Sequence, residues 1–337
     1  MSPKRGRPTL RDIAARVGVS ETAASFALNG RPGVSEETRQ RVLAVVEELQ
    51  WTPNHAAQAL SGARAMTVGL AITRTVQSVG SEQFFMNLMS GMHTVLSARR
   101  YGLLFQVTES IEGEIDLYRR WSNDSRVDGV VLVDLRIGDP RPRIVADLGL
   151  PAIVAGGPDP VGAVPSVSID DAAAMRTVMD HLRSAGHTRI AYVCGDPSLL
   201  HVHRRVDAFT RAGREHGLEA ADVLQTDFSV ASGTRATQRL LTTSDRPSAV
   251  IYDNEVLAVA GLGEIRAAGL RTPADIAVVT CEDSPMCGVV HPPLTALRRD
   301  TAAFGADVAE HLLRIIDGDR DEGTEEKVPE LVVRESA

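Results

Sequence analysis

From Met66 onward, short apolar runs of strand length alternate with segments of helical periodicity. The first four runs are TVGLAI, GLLFQV, DGVVLV and PAIVAG, and a second series of RIAYVCG, SAVIYD and IAVVTCE follows. Helices are expected between these runs, at residues 85–99, 115–123, 172–184, 205–216, 232–242 and 255–268. Strands that are apolar on both faces and alternate with helices are typical of parallel sheets covered on both sides. Two such series predict an α/β body with two lobes.

The first 50 residues have a different pattern, with three short helices and clear start and stop signals. TLRD, from Thr9 to Asp12, has the form of a capping box, and Gly18 ends the apolar pattern that follows it. Ser20 and Ser35 are expected to cap a second and a third helix. Three short helices, the first two joined by a tight glycine-containing turn, predict a helix-turn-helix head.

The segment TPNHAAQALSGARA connects the predicted head and body. Pro53 is at a favourable first helical position, but Leu60 is the only large apolar residue of the segment. A helix this short and polar is marginal when isolated. We therefore expect a linker helix that depends on a partner for its order.

Charge is distributed unevenly along the 337 residues, whose net charge is −8. Residues 1–64 carry nine Lys or Arg and six Asp or Glu, so this segment is +3 and the remainder is −11. The overall charge argues against nucleic-acid binding, whereas a basic head on an acidic body favours DNA contact by the head. Hydrophobic residues make up 43% of the chain, enough for more than one core.

Several other kinds of site are disfavoured by the sequence. Cys194, Cys281 and Cys287 lack the spacing of a disulfide framework or a zinc site, and buried free thiols are expected. His201 and His203 have no third metal ligand nearby in sequence, and GLGEIR is half of a dinucleotide fingerprint inside a predicted helix. There is neither an apolar signal region nor a run of about 18 apolar residues. We expect a cytoplasmic protein without metal, cofactor, membrane contact or catalytic activity.

Several motifs resemble the lactose-repressor/galactose-repressor (LacI/GalR) family of bacterial transcription regulators. TLRDIAARVGVS, LNGRPGVSEETRQRV and WTPNHAAQALS match the head of that family, and AGHTRIAYVCG, PADIAVV and HPPLTAL match its body. The resemblance implies a DNA-binding domain at 1–52, a hinge helix at 53–65, and a two-lobed, periplasmic-binding-protein-like domain for effector binding and dimerisation at 66–337. The first lobe is expected at about 66–165 plus 295–325, and the second at about 166–294 plus 326–337.

The same resemblance implies a set of DNA-contacting residues in the head and the hinge helix. They are Thr9, Ser20, Glu21, Thr22, Ser25, Phe26, Asn29, Asn54, Ala57 and Leu60. Phe26 stands where many members carry Arg, so it would meet a thymine methyl rather than read guanine, or it turns inward beside Leu28. Leu60 would be an apolar wedge in the minor groove, and the alternative is a linker helix with one incidental Leu.

An effector pocket between the lobes is also implied by the resemblance. Its predicted residues are Phe84, Phe85, Arg205, Phe228, Asp253 and Glu282. A guanidinium and carboxylates at strand ends suit vicinal hydroxyls, and an aromatic ring suits the apolar face of a sugar. The alternative for Arg205 is a structural ion pair with one of those acids. Gly156 stands where some sugar-binding members carry Asp, which would remove one polar contact.

Together, these features predict a homodimeric transcription repressor that binds a pseudo-palindromic operator and responds to a small ligand, expected to be a carbohydrate. One alternative is a cytoplasmic small-ligand-binding protein without DNA regulation. The other is an α/β enzyme, which the lack of a nucleophile–base pair or cofactor motif opposes. The identity of the effector, its sign of action and the choice between dimer and tetramer stay open.

Overall fold

The computed structural model describes residues 8–28, 31–49, 51, 64–74, 82–218, 222–325 and 328–337. The chain forms two compact units, Met1–Ala65 and Met66–Ala337. The described part of the first unit is helical, and the second unit contains two sheets covered by helices. The predicted fold class, a helix-turn-helix head with an α/β body of mainly parallel sheets, is confirmed.

The head contains helices α1 (Leu10–Val17), α2 (Glu21–Leu28) and α3 (Glu36–Glu48). Thr9 and Asp12 form the expected reciprocal capping box, and Gly18 ends α1 in the left-handed conformation at φ 76°. Ser20 Oγ accepts a hydrogen bond from the Ala23 amide at 3.1 Å and so caps the first turn of α2. The buried apolar side chains of the three helices meet in one small core: Ile13, Val17, Ala27 and Val42.

The first lobe of the second unit is built on a six-stranded, fully parallel sheet. Its strands are β1 (Thr67–Thr73), β2 (Gly102–Thr108), β3 (Gly129–Leu132), β4 (Ala152–Ala155), β5 (Ser166–Ser168) and β11 (Gly323–Glu325). They lie in the order β11-β5-β4-β3-β1-β2. Helices α4 (Gln83–Ala98), α5 (Ile111–Asn123) and α6 (Arg141–Asp147) connect them. Both faces of the central strands are therefore buried.

The second lobe repeats this arrangement with one antiparallel edge strand. Its strands are β6 (Ile190–Cys194), β7 (Val223–Gln225), β8 (Ala249–Tyr252), β9 (Ala277–Thr280), β10 (Thr295–Arg298) and β12 (Glu330–Val332). They lie in the order β12-β10-β9-β8-β6-β7, with β12 antiparallel to β10. The helices are α7 (Asp171–Ser184), α8 (Leu200–Glu215), α9 (Val230–Leu241), α10 (Glu255–Ala267) and the short α11 (Pro285–Val289).

The chain crosses between the two lobes three times, after β5, after β10 and after β11. Two of the expected lobe boundaries are therefore wrong by a few residues. Ser166–Ser168 pairs with β4 in the first sheet, and Thr295–Arg298 pairs with β9 in the second. Each of these two strands pairs within its sheet before the chain crosses to the other lobe. The apolar content of the sequence does not show after which strand the crossing occurs.

Helix α12 (Thr301–Asp317) follows the second crossing and packs against α4 in the first lobe. The two backbones approach closely because each helix has a glycine at the contact. A Cβ atom on Gly91 would lie 1.8 Å from the Ala302 carbonyl oxygen, and one on Gly305 would lie 2.2 Å from that of Leu88. These glycines fix the distance between the helices.

The three cysteines are free and buried, as expected. GLGEIR lies within α10, so it does not follow a strand as a dinucleotide-binding loop would. In the part of the chain that the structure describes, no helix has the length and apolarity needed to cross a membrane.

Candidate effector cleft and DNA-binding helix

A cleft opens in the second unit where the carboxyl ends of the strands of both lobes meet. It encloses about 730 Å³ between its walls, including the part open to solvent. Its charged side chains include Arg74, Glu82, Asp134, Asp171, Arg204, Arg205, Asp253, Glu282 and Arg299. The edge formed by strand carboxyl ends is the usual ligand position in open α/β sheets.

All six residues predicted for the effector pocket line this cleft: Phe84, Phe85, Arg205, Phe228, Asp253 and Glu282. Phe84 and Phe85 begin α4, and their rings meet edge to face with centroids 5.3 Å apart. The structure thus brings together residues that are almost 200 positions apart in sequence, although their role in binding an effector remains a prediction.

Arg205 forms two short ion pairs at the base of the cleft. Its Nε lies 3.0 Å from Asp171 Oδ1 and its Nη1 lies 2.7 Å from Asp253 Oδ1. Burial opposes the charged guanidinium, but the two carboxylates outweigh it and raise the pKa of Arg205. The ion pair considered as an alternative for Arg205 is therefore present. The same guanidinium lines the cleft, so the pair is also part of the candidate site.

Asp253 follows β8 and is almost completely buried. Its carboxylate accepts hydrogen bonds from the Tyr192 hydroxyl at 2.8 Å and the Gly195 amide at 2.9 Å. Burial would raise the pKa of Asp253, but Arg205, His201 and the Gly195 amide lower it overall. Asp253 therefore stays ionised and holds Arg205 in place.

Phe228 does not offer a fully open ring to a ligand. Its tip points at Gly195, where a Cβ atom would lie 1.8 Å from Phe228 Cζ. The Arg74 guanidinium lies over the ring, 4.4 Å from its centroid, so a residue of the first lobe covers an aromatic ring of the second. The predicted sugar-stacking role therefore requires Arg74 to move or to share the ring with the ligand.

Arg74 directly follows β1 and joins two acids of the first lobe. Its Nε lies 2.8 Å from Asp134 Oδ2, and its Nη1 lies 3.4 Å from Glu82 Oε1. Burial raises the pKa of Glu82 to about 8, despite the opposing effect of Arg74. Glu82 is therefore mostly protonated at neutral pH, and its hydroxyl can donate a hydrogen bond.

Glu282 and Arg299 form a looser pair on the second-lobe side, with Arg299 Nη2 3.8 Å from Glu282 Oε1. Burial raises the pKa of Glu282 and lowers that of Arg299, so neither charge is fully satisfied by its partner. The Arg299 guanidinium also lies 4.7 Å from the Phe84 ring centroid. This pair has hydrogen-bonding capacity left for a ligand hydroxyl.

Arg204 occupies the space beside Gly156, the position where the sequence predicted a missing polar contact. Its Nη2 donates to the Gly156 carbonyl at 3.0 Å and pairs with Asp171 Oδ2 at 2.8 Å. A Cβ atom on Gly157 would lie 2.2 Å from the same nitrogen. The absence of a side chain at Gly157 lets the guanidinium lie against the backbone of the other lobe.

The two histidines considered as metal ligands have separate environments. His201 lines the cleft, 3.9 Å from Asp134 Oδ1, and burial lowers its pKa to about 4. His203 pairs instead with Asp207 on the next turn of α8, at 3.4 Å. Among the described residues, no three His, Cys, Asp or Glu side chains are arranged to hold a metal ion.

Sequence reasoning missed six charged residues of the cleft. Two of them, Glu82 and Arg204, belong to helical segments, and the other four are Arg74, Asp134, Asp171 and Arg299. Each of these four comes one to three residues after a strand of the parallel sheets. A charged residue at the carboxyl end of a predicted buried strand was therefore the available signal.

In the head, α2 presents a polar face. Glu21 and Thr22 are exposed, whereas Ser25 and Phe26 are half-buried. The Phe26 ring lies beside the turn that follows α2, where a Cβ atom on Gly33 would be 3.6 Å from Phe26 Cδ2. The ring is therefore outside the buried core of the head and still partly accessible for a base contact.

The other predicted DNA-contacting residues divide into two groups. Thr9 and Ser20 are exposed, and their hydroxyls cap α1 and α2. Four of the predicted positions lie outside the described residues: Asn29, Asn54, Ala57 and Leu60. The contacts proposed for the hinge segment stay predictions.

Comparison with known proteins agrees with both units. Residues 9–54 match the model of the lacI family of bacterial regulatory proteins, and residues 179–337 match a periplasmic binding protein-like domain. The HTH-type transcriptional regulator CelR of Thermobifida fusca is 32% identical, with 99% of each chain covered. The chain belongs to the LacI family. It is a transcriptional regulator with a helix-turn-helix DNA-binding domain.

Other members of the LacI family support the same assignment. The HTH-type transcriptional repressor PurR of Aliivibrio fischeri (strain MJ11) is 29% identical over 97% of this chain and 98% of its own. A solved structure of a CelR–cellobiose complex is 30% identical, covers 98% of this chain and all of that one, and has a TM-score of 0.75. The lac repressor dimer bound to operator and the anti-inducer ONPF shares the fold, with a TM-score of 0.83 at 24% identity, covering 98% of this chain and 99% of that chain.

Proposed function

We propose that this LacI-family regulator is a repressor that binds a pseudo-palindromic operator as a homodimer, and that a sugar bound in the cleft changes its affinity for DNA. It acts by binding rather than by catalysis, and in the cytoplasm, where a bacterial chromosome lies. The single observation that carries the ligand proposal is the cleft itself, where guanidinium and carboxyl groups of both lobes converge on three phenylalanine rings.

The chemistry of the cleft favours a polyhydroxylated ligand. Arg205 and Asp253 present a paired donor and acceptor at fixed positions, and the looser Glu282–Arg299 pair offers a second donor and acceptor. Vicinal hydroxyls both donate and accept, so they can satisfy both kinds of group without adding a net charge to a buried site. The structure of the related CelR in complex with cellobiose supports this choice of ligand class.

The head supports DNA binding through α2. Helices α1 and α2 are joined at Gly18 in a helix-turn-helix arrangement, so α2 would lie in the major groove of bound DNA. Glu21 and Thr22 at its N-terminus would then meet base edges, and Phe26 would supply an apolar contact. The +3 charge of residues 1–64 favours this unit as the one that meets phosphates.

Gel-shift assays on genomic fragments test the DNA proposal, with the full chain and with residues 66–337 alone. The full chain should shift a fragment that contains two inverted half-sites, and the truncated chain should not. Footprinting should show a symmetric site, because a dimer carries two recognition helices. Protection of a single asymmetric half-site would contradict dimeric binding. A ligand-binding protein without DNA regulation would shift no fragment with either chain.

Thermal shifts across a panel of neutral mono- and disaccharides, including cellobiose, test the ligand proposal. A sugar that binds the native state raises the melting temperature by mass action. The sugar found in this way should then change operator affinity of the full chain, and Arg205→Ala should abolish that change. A variant that still responded at the parent's sugar concentration would show that the cleft is not the effector site.

A further inference from the structure

One stretch of the first lobe reaches across the cleft and pairs with the second lobe. Residues 134–139, which we call the strap, follow β3, and residues 196–200 follow β6. The Ile137 amide donates to the Ser198 carbonyl at 2.9 Å, and the Leu200 amide donates to the Leu135 carbonyl at 2.8 Å. Arg136 and Leu199 are therefore opposed in a one-residue antiparallel bridge between the lobes.

A side chain reinforces this backbone pairing. Arg136 Nη1 donates to Ser198 Oγ at 3.0 Å and lies 3.4 Å from Asp196 Oδ2. Asp134 at the start of the strap is also 3.9 Å from His201 of the second lobe. Two backbone hydrogen bonds, one side-chain hydrogen bond and an ion pair thus join the lobes at one wall of the cleft.

The strap is held in shape from within its own lobe. Arg141 is almost fully buried, and its guanidinium binds Asp139 at both carboxylate oxygens and donates to the Asp134 carbonyl at 2.8 Å. It also pairs with Glu114 at 2.7 Å. Asp139 in turn accepts the Arg136 amide at 2.9 Å. Both ends of the strap are therefore fixed by one guanidinium.

The backbone of the strap also carries strain that this network must support. Asp134 has φ 52°, a left-handed conformation that non-glycine residues rarely adopt. Such a conformation persists when the surrounding contacts determine it, and it is often found where a segment has a functional task. The Arg141 bond to the Asp134 carbonyl is such a contact.

We infer that the strap is a preformed closing element of the cleft, which holds the two lobes together through residues 196–200 and must detach before they can separate. Arg141 is its positioning residue. Asp134 and Leu135 of the strap and Leu200 and His201 of the second lobe all line the cleft, so detachment of the strap opens one wall of the ligand site. The inference rests on the proposed function only in that a ligand is proposed to lie between the lobes.

Hydrogen exchange of the full-length protein, without any ligand, tests the strap. The amides of Ile137 and Leu200 belong to different lobes but should be protected to the same degree, because one opening event exposes both. Arg136→Ala and Ser198→Ala should each lower the protection of both amides by about 2- to 10-fold, the range expected for one hydrogen bond. The double variant should add little to Arg136→Ala, because that change already removes the bond to Ser198 together with the Asp196 ion pair.

Arg143→Ala is the matched control, since Arg143 is exposed and pairs with Asp147 within α6 of the first lobe. It should leave both amides unchanged. Equal protection in Arg136→Ala and Arg143→Ala would overturn the inference, as would loss of protection at Ile137 without loss at Leu200. Both results are independent of whether a sugar binds, so they are separate from a failure of the proposed function.

A reversible crosslink gives a second measurement. Arg136 and Leu199 form an antiparallel pair that is flanked by hydrogen bonds but shares none. The Cα atoms of such a pair are about 4.5 Å apart, within the range that a disulfide spans. Arg136→Cys combined with Leu199→Cys should oxidise within one chain and slow exchange at both amides beyond the wild type, with reversal by dithiothreitol. The native cysteines are buried, and Arg136→Cys alone should form no intramolecular bond. A double variant with native circular dichroism that failed to oxidise would overturn the inference.

Discussion

Arg205→Ala tests the electrostatics of the cleft most directly. The change removes the cation between two buried carboxylates, Asp171 and Asp253, whose side chains are 3% and 0% exposed. Loss of one partner from a buried ion pair typically costs about 3–5 kcal/mol, because the remaining charge is left uncompensated. Here Asp171 keeps its bond to Arg204, and Asp253 keeps its bonds to Tyr192 and the Gly195 amide. We therefore expect the lower end, a loss of about 3 kcal/mol in the free energy of unfolding.

Urea unfolding of the full chain at pH 7 measures this loss. The chain has two tryptophans, of which Trp121 is buried in the body, so its fluorescence in a Trp51→Phe background reports the unfolding of that unit. Arg143→Ala, which breaks an exposed pair within α6, is the control and should cost less than about 1 kcal/mol. Arg205→Lys should fall between them, because it keeps the charge but cannot reach both carboxylates in the same geometry.

Two results would refute this reasoning in different ways. A loss as small as that of Arg143→Ala would mean that the two carboxylates are hydrated in solution and that the cleft is more open than described. A loss of about 3 kcal/mol combined with a full response of operator binding to sugar would mean that Arg205 is structural only. The second result would move the effector site away from Arg205 while leaving the ion pair intact.

Three further changes are expected to have measurable effects. Leu60→Ala should weaken operator binding in gel shifts by more than about 1 kcal/mol, because it removes the proposed minor-groove wedge, and it should leave the melting temperature unchanged. Equal operator affinity of the variant and the wild type would exclude the wedge. Burial raises the pKa of Glu82 in the folded state to about 8, above its usual value of 4.5, so the folded state binds an extra proton and the wild type should lose stability as pH rises from about 4.5 to about 8. Glu82→Gln should flatten that slope in urea titrations at several pH values. Gly91→Ala should lower the free energy of unfolding by about 1–3 kcal/mol, because it forces a Cβ atom against the Ala302 carbonyl. The control is Gly263→Ala in α10, where a Cβ atom meets open space, and it should be neutral or stabilising by up to about 1 kcal/mol in the same urea titrations.

The elements whose formation depends on local chemistry could be predicted from the sequence. The capping box at Thr9, the cap at Ser20 and the end of the first helix at Gly18 depend on residues within a few positions, and the structure contains all three. Helix starts were less accurate where no cap was visible. Helix α8 begins at Leu200, after an extended Leu199 that provides no side-chain cap, five residues before the predicted start at 205.

The contacts within the cleft were less accessible to sequence reasoning, because they join residues far apart in the chain. The resemblance identified Arg205 and Asp253 as pocket residues. It did not predict that Asp171 would bind both Arg204 and Arg205. Nor does any local pattern indicate that Arg74 would cover Phe228, since the two residues belong to different lobes. Such contacts depend on how the two sheets face each other, which three chain crossings determine jointly.

The cross-lobe contacts suggest why ligand binding and lobe position should be coupled in this regulator. Arg74 of the first lobe lies on Phe228 of the second, and Arg204 of the second lies on the Gly156 carbonyl of the first. A sugar that stacks on Phe228 or bonds to Arg205 enters the space that these contacts span, so it must alter at least one of them. A ligand shifts an equilibrium only by the difference in its interaction with the two states. These two contacts help to close the cleft and lie where the proposed ligand would bind, so the affinity of a ligand that displaces either of them should depend on the angle between the lobes. By reciprocity, such a ligand should bias that angle.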